Sequence, residues 1–143
     1  MEKILLYTDG GSRNNPGPAA TGFVLQNDQG QVLKKGGSFL GRATNNEAEY
    51  QALIEGLRAA KKFSPDYLVC FLDSLLVVNQ LTGVFKIKEA RLRKLVFEAK
   101  ALEKNFESIR YEHIPREENE EADAIVNQIL DEKANHPRNA PLR

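Results

Sequence analysis

The sequence predicts an α/β domain, with a mixed five-stranded sheet covered by helices on both faces. Three observations carry this reading. Residues 3–40 hold three strand-like runs joined by turn chemistry, with no helical period among them. From Thr44 onward, segments with apolar residues at helical spacing alternate with short apolar runs. One of those runs, Tyr67 to Leu72, is apolar throughout, as in a strand covered on both faces. Hairpins favour antiparallel pairing and helix-separated strands favour parallel crossovers, so the sheet is mixed.

The elements follow in order. Lys3 to Thr8 reads as the first strand, and two-residue alternation puts Asp9 on the side of Leu5 and Tyr7. Gly10-Gly11-Ser12-Arg13-Asn14-Asn15-Pro16-Gly17-Pro18 then reads as a tight, glycine-rich turn, so Asp9 stands where a strand ends. Thr21 to Gln26 and Gln31 to Leu40 are the second and third strands, joined by Asn27-Asp28-Gln29-Gly30 as a hairpin turn. Thr44 to Lys61 is the clearest helix, with Ala48, Ala52, Leu53, Gly56, Leu57 and Ala60 at helical spacing. Its start, Thr44-Asn45-Asn46-Glu47, is a capping box. The strand Tyr67 to Leu72 ends at Asp73-Ser74, and Leu75 to Leu81 forms a short helix closed by Thr82-Gly83. Glu89 to Phe106 is a third helix, Ile109 to Ile114 a fifth strand, Pro115 to Asn119 a polar turn, and Glu120 to Glu132 a last helix. From Asn135 the chain has no period and two prolines. Residues 1–134 therefore read as one domain and 135–143 as a mobile tail.

Composition narrows the function classes. A chain of 143 residues suits one core, and 41% apolar with 28% charged residues is a soluble, globular balance. Twenty basic and twenty acidic residues cancel, so no net field draws in a polyanion and any nucleic-acid contact must be local. Cys70 is alone in an apolar run and reads as a small buried thiol, not part of a disulfide framework. No signal-peptide pattern and no apolar run of ~18 residues is present, so the expectation is a cytoplasmic protein without a membrane span.

Twenty acids are present, and position sorts them. Asp9 and Asp73 directly follow apolar strands, where ligand sites gather in open sheets. Taken singly, each also reads as a turn residue or a helix N-cap. In the helix after Thr44, Glu47 has a local job in the capping box and shares a stripe with Gln51, Glu55 and Arg58. Glu49 instead lines up with Leu53, Gly56 and Ala60 on the buried stripe. A carboxylate there must be paired, protonated or metal-bound. Within the acidic start of the last helix, only Asp123 shares a side with Val126 and Leu130. Four inward-leaning carboxylates from four elements are very costly without cations. Hard oxygen donors with no Cys or His set point to magnesium or manganese. Two such ions about 4 Å apart would clamp the attacking water and the leaving oxygen of an in-line displacement, so the reaction class suggested is phosphodiester hydrolysis.

The motifs resemble a known family. Thr8-Asp9-Gly10-Gly11, Asn15-Pro16-Gly17-Pro18, Thr44-Asn45-Asn46 followed by Glu49, Asp73-Ser74, and Asn119-Glu120-Glu121-Ala122-Asp123 stand in the order of type 1 ribonuclease H, across roughly residues 3–133. The resemblance implies the ribonuclease H-like fold with sheet order 3-2-1-4-5, residues 1–134 as its catalytic domain, and two Mg2+ ions, with Mn2+ as a substitute. It implies endonucleolytic hydrolysis of the RNA strand of an RNA–DNA hybrid, leaving 5′-phosphate and 3′-hydroxyl ends. The family's four metal-binding acids fall on Asp9, Glu49, Asp73 and Asp123. Substrate contacts fall on Gly10, Gly11, Asn15, Thr44, Asn45 and Asn46. An Asn can both donate to and accept from the 2′-hydroxyl that marks RNA. The expected working form is a monomer.

Two departures stand out. The chain resembles the compact members, for Gly83 to Lys88 replaces the basic protrusion and no Trp is present. Lys86 and Lys88 are modest substitutes, so weaker hold on a hybrid is expected. Many members also carry a His in the loop before the last helix, where this chain has Arg116. His113 lies within the preceding strand and reads as structural. Arg116 is the candidate cation near the scissile phosphate. Two other readings compete: a non-catalytic module of this fold that binds hybrids or RNA, and a relative that acts on DNA, as resolvases and transposases do.

Overall fold

The computed structural model describes residues 2–135. The chain runs β1 (Lys3–Ser12), β2 (Gly17–Asn27), β3 (Val32–Gly36), β4 (Phe39–Ala43), α1 (Asn45–Lys61), β5 (Tyr67–Leu72), α2 (Leu75–Leu81), α3 (Ala90–Glu103), β6 (Ser108–His113), a single 3-10 turn at Arg116–Glu118, and α4 (Glu120–Asn135). The strands form one mixed sheet in the order β3-β2-β1-β5-β6, with β4 also paired to β2. β1, β2, β3 and β4 pair antiparallel, whereas β1, β5 and β6 run parallel. The expected α/β architecture and strand order are therefore present.

Three strands differ from expectation: β2 starts at Gly17, four residues before the expected Thr21, so the turn that follows β1 is only Arg13 to Pro16. The run Gln31 to Leu40 is not one strand but two. Gly37-Ser38 breaks it, because the chain presses against β2 at this point. A Cβ on Gly37 would sit 2.3 Å from the Thr21 carbonyl oxygen, so only glycine fits. The Thr21 N–H donates to the Ser38 carbonyl oxygen, and the Ser38 N–H donates to Thr21 Oγ1, both at 2.9 Å. The first strand, in turn, does not stop at Thr8. Its parallel ladder with β5 ends there, at Thr8↔Leu72, but its antiparallel ladder with β2 continues to Ser12↔Ala19. Asp9 thus sits inside a strand, just where β1 loses its β5 neighbour. That divergence opens a fork at one end of the sheet.

Helices cover the sheet as their apolar stripes require. α1 buries Leu53, Ile54, Leu57 and Ala60 against Ile4, Leu6 and Leu25 of the sheet. Each fully buried Leu or Ile stabilises the fold by roughly 1.5–3 kcal/mol. Tyr50 is buried in the same layer, and its hydroxyl donates to Gln80 Oε1, tying α1 to α2 at 2.5 Å. α4 lies on the opposite face, where Val126 and Leu130 pack with Ala20. Cys70 is a free, buried thiol, as expected. α4 extends through Asn135, three residues beyond the expected end. The rest of the expected tail, 136–143, lies outside the described residues.

Candidate active site

The fork between β1 and β5 opens into a cavity of about 410 Å³. Asp9, Glu49, Asp73 and Asp123 all line it, from β1, α1, the end of β5 and the first turn of α4. Gly10, Gly11, Asn45, Asn46 and Arg116 line it as well.

Glu49 is held by local design. The capping box is complete, with Glu47 N–H donating to Thr44 Oγ1 and Thr44 N–H to Glu47 Oε1. This fixes where α1 begins, and Glu49 follows on the buried stripe at 7% exposure. Its Oε1 accepts the Gly10 N–H at 2.6 Å. That bond needs β1 and α1 to touch: a Cβ on Gly10 would stand 2.1 Å from the Ala48 carbonyl oxygen. The Gly10 amide thus faces Glu49, whereas Gly11 has ordinary room toward Val126. Asn15 and Thr44 stand behind the cavity wall. Asn15 Oδ1 accepts the Asn45 N–H at 2.9 Å, and Asn45 Oδ1 accepts the Ser12 N–H at 2.8 Å. The two asparagines therefore brace the β1–β2 turn against the start of α1.

Carboxylate oxygens of Asp9, Glu49 and Asp73 lie within 4.8 Å of one another. Asp123 is outside this trio, half-buried and on its flank. It accepts a hydrogen bond from Asn127 one helical turn on. Among the described residues, no Lys, Arg or His forms an ion pair with any of the three. The consequence is electrostatic. Burial above all, and then the charges of Glu49 and Asp73 and the approach of Asp123, push the Asp9 carboxyl up to about 9. Burial followed by Asp73 pushes Glu49 up to about 8, against the opposing pull of the Gly10 N–H and the more distant Arg116. Acids so crowded are stable as anions only with a cation between them. The donors are all hard carboxylate oxygens, and the cluster is open to the cavity. This set fits a divalent cation such as magnesium or manganese.

Arg116 lies in the 3-10 turn and reaches the cavity as expected. His113 is exposed at the end of β6 and is not part of the lining. Arg13 lines the rim and pairs with Asp131 at 2.7 Å. Sequence reasoning missed the part played by Asn119. This residue is 1% exposed, and its Nδ2 donates to the Thr8 carbonyl oxygen at 2.8 Å and to Asp73 Oδ2 at 2.9 Å. An Asn directly before a helix reads as a cap, so no local signal singled it out.

Comparison with known proteins agrees with this geometry. The family model described as "Reverse transcriptase-like" matches residues 7–129. The chain is 45% identical to ribonuclease HI of Halobacterium salinarum over 130 residues, covering 91% of this chain and 65% of that protein. It is 44% identical over 133 residues to the bifunctional protein Rv2228c of Mycobacterium tuberculosis, of which it spans 36%. Among solved structures, the H. salinarum ribonuclease H1 superposes with a TM-score of 0.88, over 91% of this chain and 98% of that one. The N-terminal ribonuclease H domain of the M. tuberculosis protein gives 0.91 at 42% identity, over 95% and 99%. The LC11 ribonuclease H1, solved in complex with an RNA/DNA hybrid, gives 0.87 at 36% identity, over 92% and 99%. Motif order, sheet topology and these likenesses agree: the chain belongs to the type 1 ribonuclease H family.

Proposed function

We propose that the chain is an endoribonuclease that hydrolyses the RNA strand of RNA–DNA hybrids with two bound Mg2+ ions, Mn2+ substituting, and leaves 5′-phosphate and 3′-hydroxyl ends. The observation that carries this reading is the close trio of buried Asp9 and Glu49 with half-buried Asp73 at the mouth of a cavity, with Asp123 beside it and no ion-paired cation among the described residues. Asp9 would be shared by both ions, Glu49 and Asp73 would complete one site, and Asp123 the other. The chemistry such ions supply is a nucleophilic water at neutral pH and neutralisation of charge on the leaving oxygen.

The chain's own groups do the rest. The Gly10 N–H holds Glu49 in register, so one carboxylate oxygen is fixed before any ligand arrives. Asn45 and Asn46, at the first turn of α1 and on the cavity wall, meet the RNA 2′-hydroxyls; Asn15 and Thr44 support them from behind. Gly11 lets the RNA backbone come close. Arg116 supplies a cation to the scissile phosphate. The segment Val84 to Lys88, exposed except at Ile87, gives only a small basic surface for the DNA strand. All four acids come from one chain, which supports a monomer as the working form. Among the described residues no helix is long and apolar enough to cross a membrane, and we read the enzyme as cytoplasmic.

The test is cleavage of an end-labelled hybrid with Mg2+, beside Asp9→Asn. The expected result is cutting of the RNA strand by the wild type alone. Binding of the hybrid without Mg2+-dependent cutting would replace this reading with a non-catalytic module, and equal cutting of an all-DNA duplex would replace it with a DNA nuclease.

A further inference from the structure

We infer that Asn119 is a positioning residue for Asp73, acting as a wedge that holds the β1–β5 fork at the spacing a divalent cation needs. The inference rests on the proposed metal-dependent function. It starts from a cost. Asn119 directly precedes α4, its carbonyl oxygen accepts the Asp123 N–H, and its side chain is therefore where a helix cap belongs. A capping Asn uses Oδ1 to accept an N–H of the first turn. Here Oδ1 is buried and has no partner among the described residues. Leaving a buried acceptor unmatched costs its full desolvation. The cap is thus forgone, and the amide is turned the other way.

What it meets there defines its job. Nδ2 bridges two acceptors, the Thr8 carbonyl oxygen and Asp73 Oδ2. Turning the amide over would set Oδ1 against both, so the orientation is determined by chemistry. Thr8 and Leu72 are the last paired residues of the parallel ladder. Beyond them the strands part, leaving Asp9 on one prong and Asp73 on the other. Asn119 ties the base of one prong to the carboxylate of the other. One Asp73 oxygen is then engaged, its rotamer is held, and the other oxygen is left for the cation. Partners that orient a metal-binding carboxylate in this way affect affinity about 10–100-fold when removed.

The experiment is calorimetric titration of Mg2+ alone into wild type, Asn119→Ala and Asn119→Ser, with steady-state cleavage of a hybrid and thermal melting in EDTA. Ser keeps a residue that favours helix starts but cannot span both acceptors, so it guards against loss of folding in the Ala variant. The expected result is a loss of Mg2+ affinity of about tenfold or more in the folded variants, a matching fall in kcat that high Mg2+ restores, and an unchanged KM for the hybrid. Lower melting temperature with Mg2+ affinity within twofold of wild type would overturn the inference and leave Asn119 a structural residue. A wild type that neither binds Mg2+ nor cuts would instead overturn the functional reading itself.

Discussion

Asp9→Asn should stabilise the metal-free protein while abolishing cleavage. Asp9 is 8% exposed, and its carboxylate has oxygens of Glu49 and Asp73 within 4.8 Å. Two unit charges at that distance repel by roughly 3.5 kcal/mol at an effective dielectric constant of about 20. Burial and these neighbours lift the Asp9 carboxyl from its ordinary 3.8 to about 9. Between those values the folded protein holds a proton that the unfolded chain releases, so stability falls as pH rises through the window. At ~1.4 kcal/mol per pH unit above 3.8, the penalty at pH 7 has a ceiling of roughly 4 kcal/mol. A neutral Asn removes most of it, so a gain of about 1–4 kcal/mol is expected, or roughly 3–12 °C in melting temperature for a domain of this size. The assay is thermal melting in EDTA at pH 4, 6 and 8. The gain should nearly vanish at pH 4, where the folded carboxyl is protonated and the unfolded one is close to half-protonated, and be largest at pH 8. Mg2+ should reverse the order by stabilising the wild type more. No gain at pH 8, or an equal gain at pH 4 and pH 8, would refute the crowding argument.

Other consequences follow from single contacts. Gly10→Ala places a Cβ 2.1 Å from the Ala48 carbonyl oxygen, so α1 must shift and Glu49 must lose its amide partner. Melting should show a loss of about 1–3 kcal/mol, and cleavage should fall to near background. Thr44→Ala removes the bond accepted from the Glu47 N–H and should lower the urea midpoint by about 1 kcal/mol of stability with an unchanged m-value. Arg116→Ala should lower kcat about tenfold, one charge-assisted hydrogen bond to the phosphate being worth ~1.4 kcal/mol, with folding intact. Full turnover in that variant would remove Arg116 from the mechanism.

Much of the site was legible because periodicity and capping are local. Glu49 and Glu47 are two residues apart, yet only Glu49 falls on the stripe with Leu53, Gly56 and Ala60, and only Glu49 is buried in the cavity wall. Glu47 takes the capping role its spacing from Thr44 allows. Asp123 was separated from its acidic neighbours by the same reasoning and lines the cavity, though outside the close trio. Strand ends were less legible. β1 outruns its apolar run because β2 continues to pair with it, and backbone pairing does not require apolar side chains. The Gly37-Ser38 break was hidden because nothing in the local pattern says that Thr21 will press on it.

The sequence by itself determined the order of elements apart from the split of the third strand, the start of α1 and the acids that lean inward, since each depends on residues within a few positions of one another. The tertiary structure alone decided what those acids meet. Gly10 reaches Glu49 across 39 positions, and Asn119 reaches Asp73 across 46 and Thr8 across 111. A helical or strand period carries no information at such separations. The fork, its wedge and the crowding of three carboxylates exist only where the folded sheet brings β1, β5, α1 and the start of α4 together.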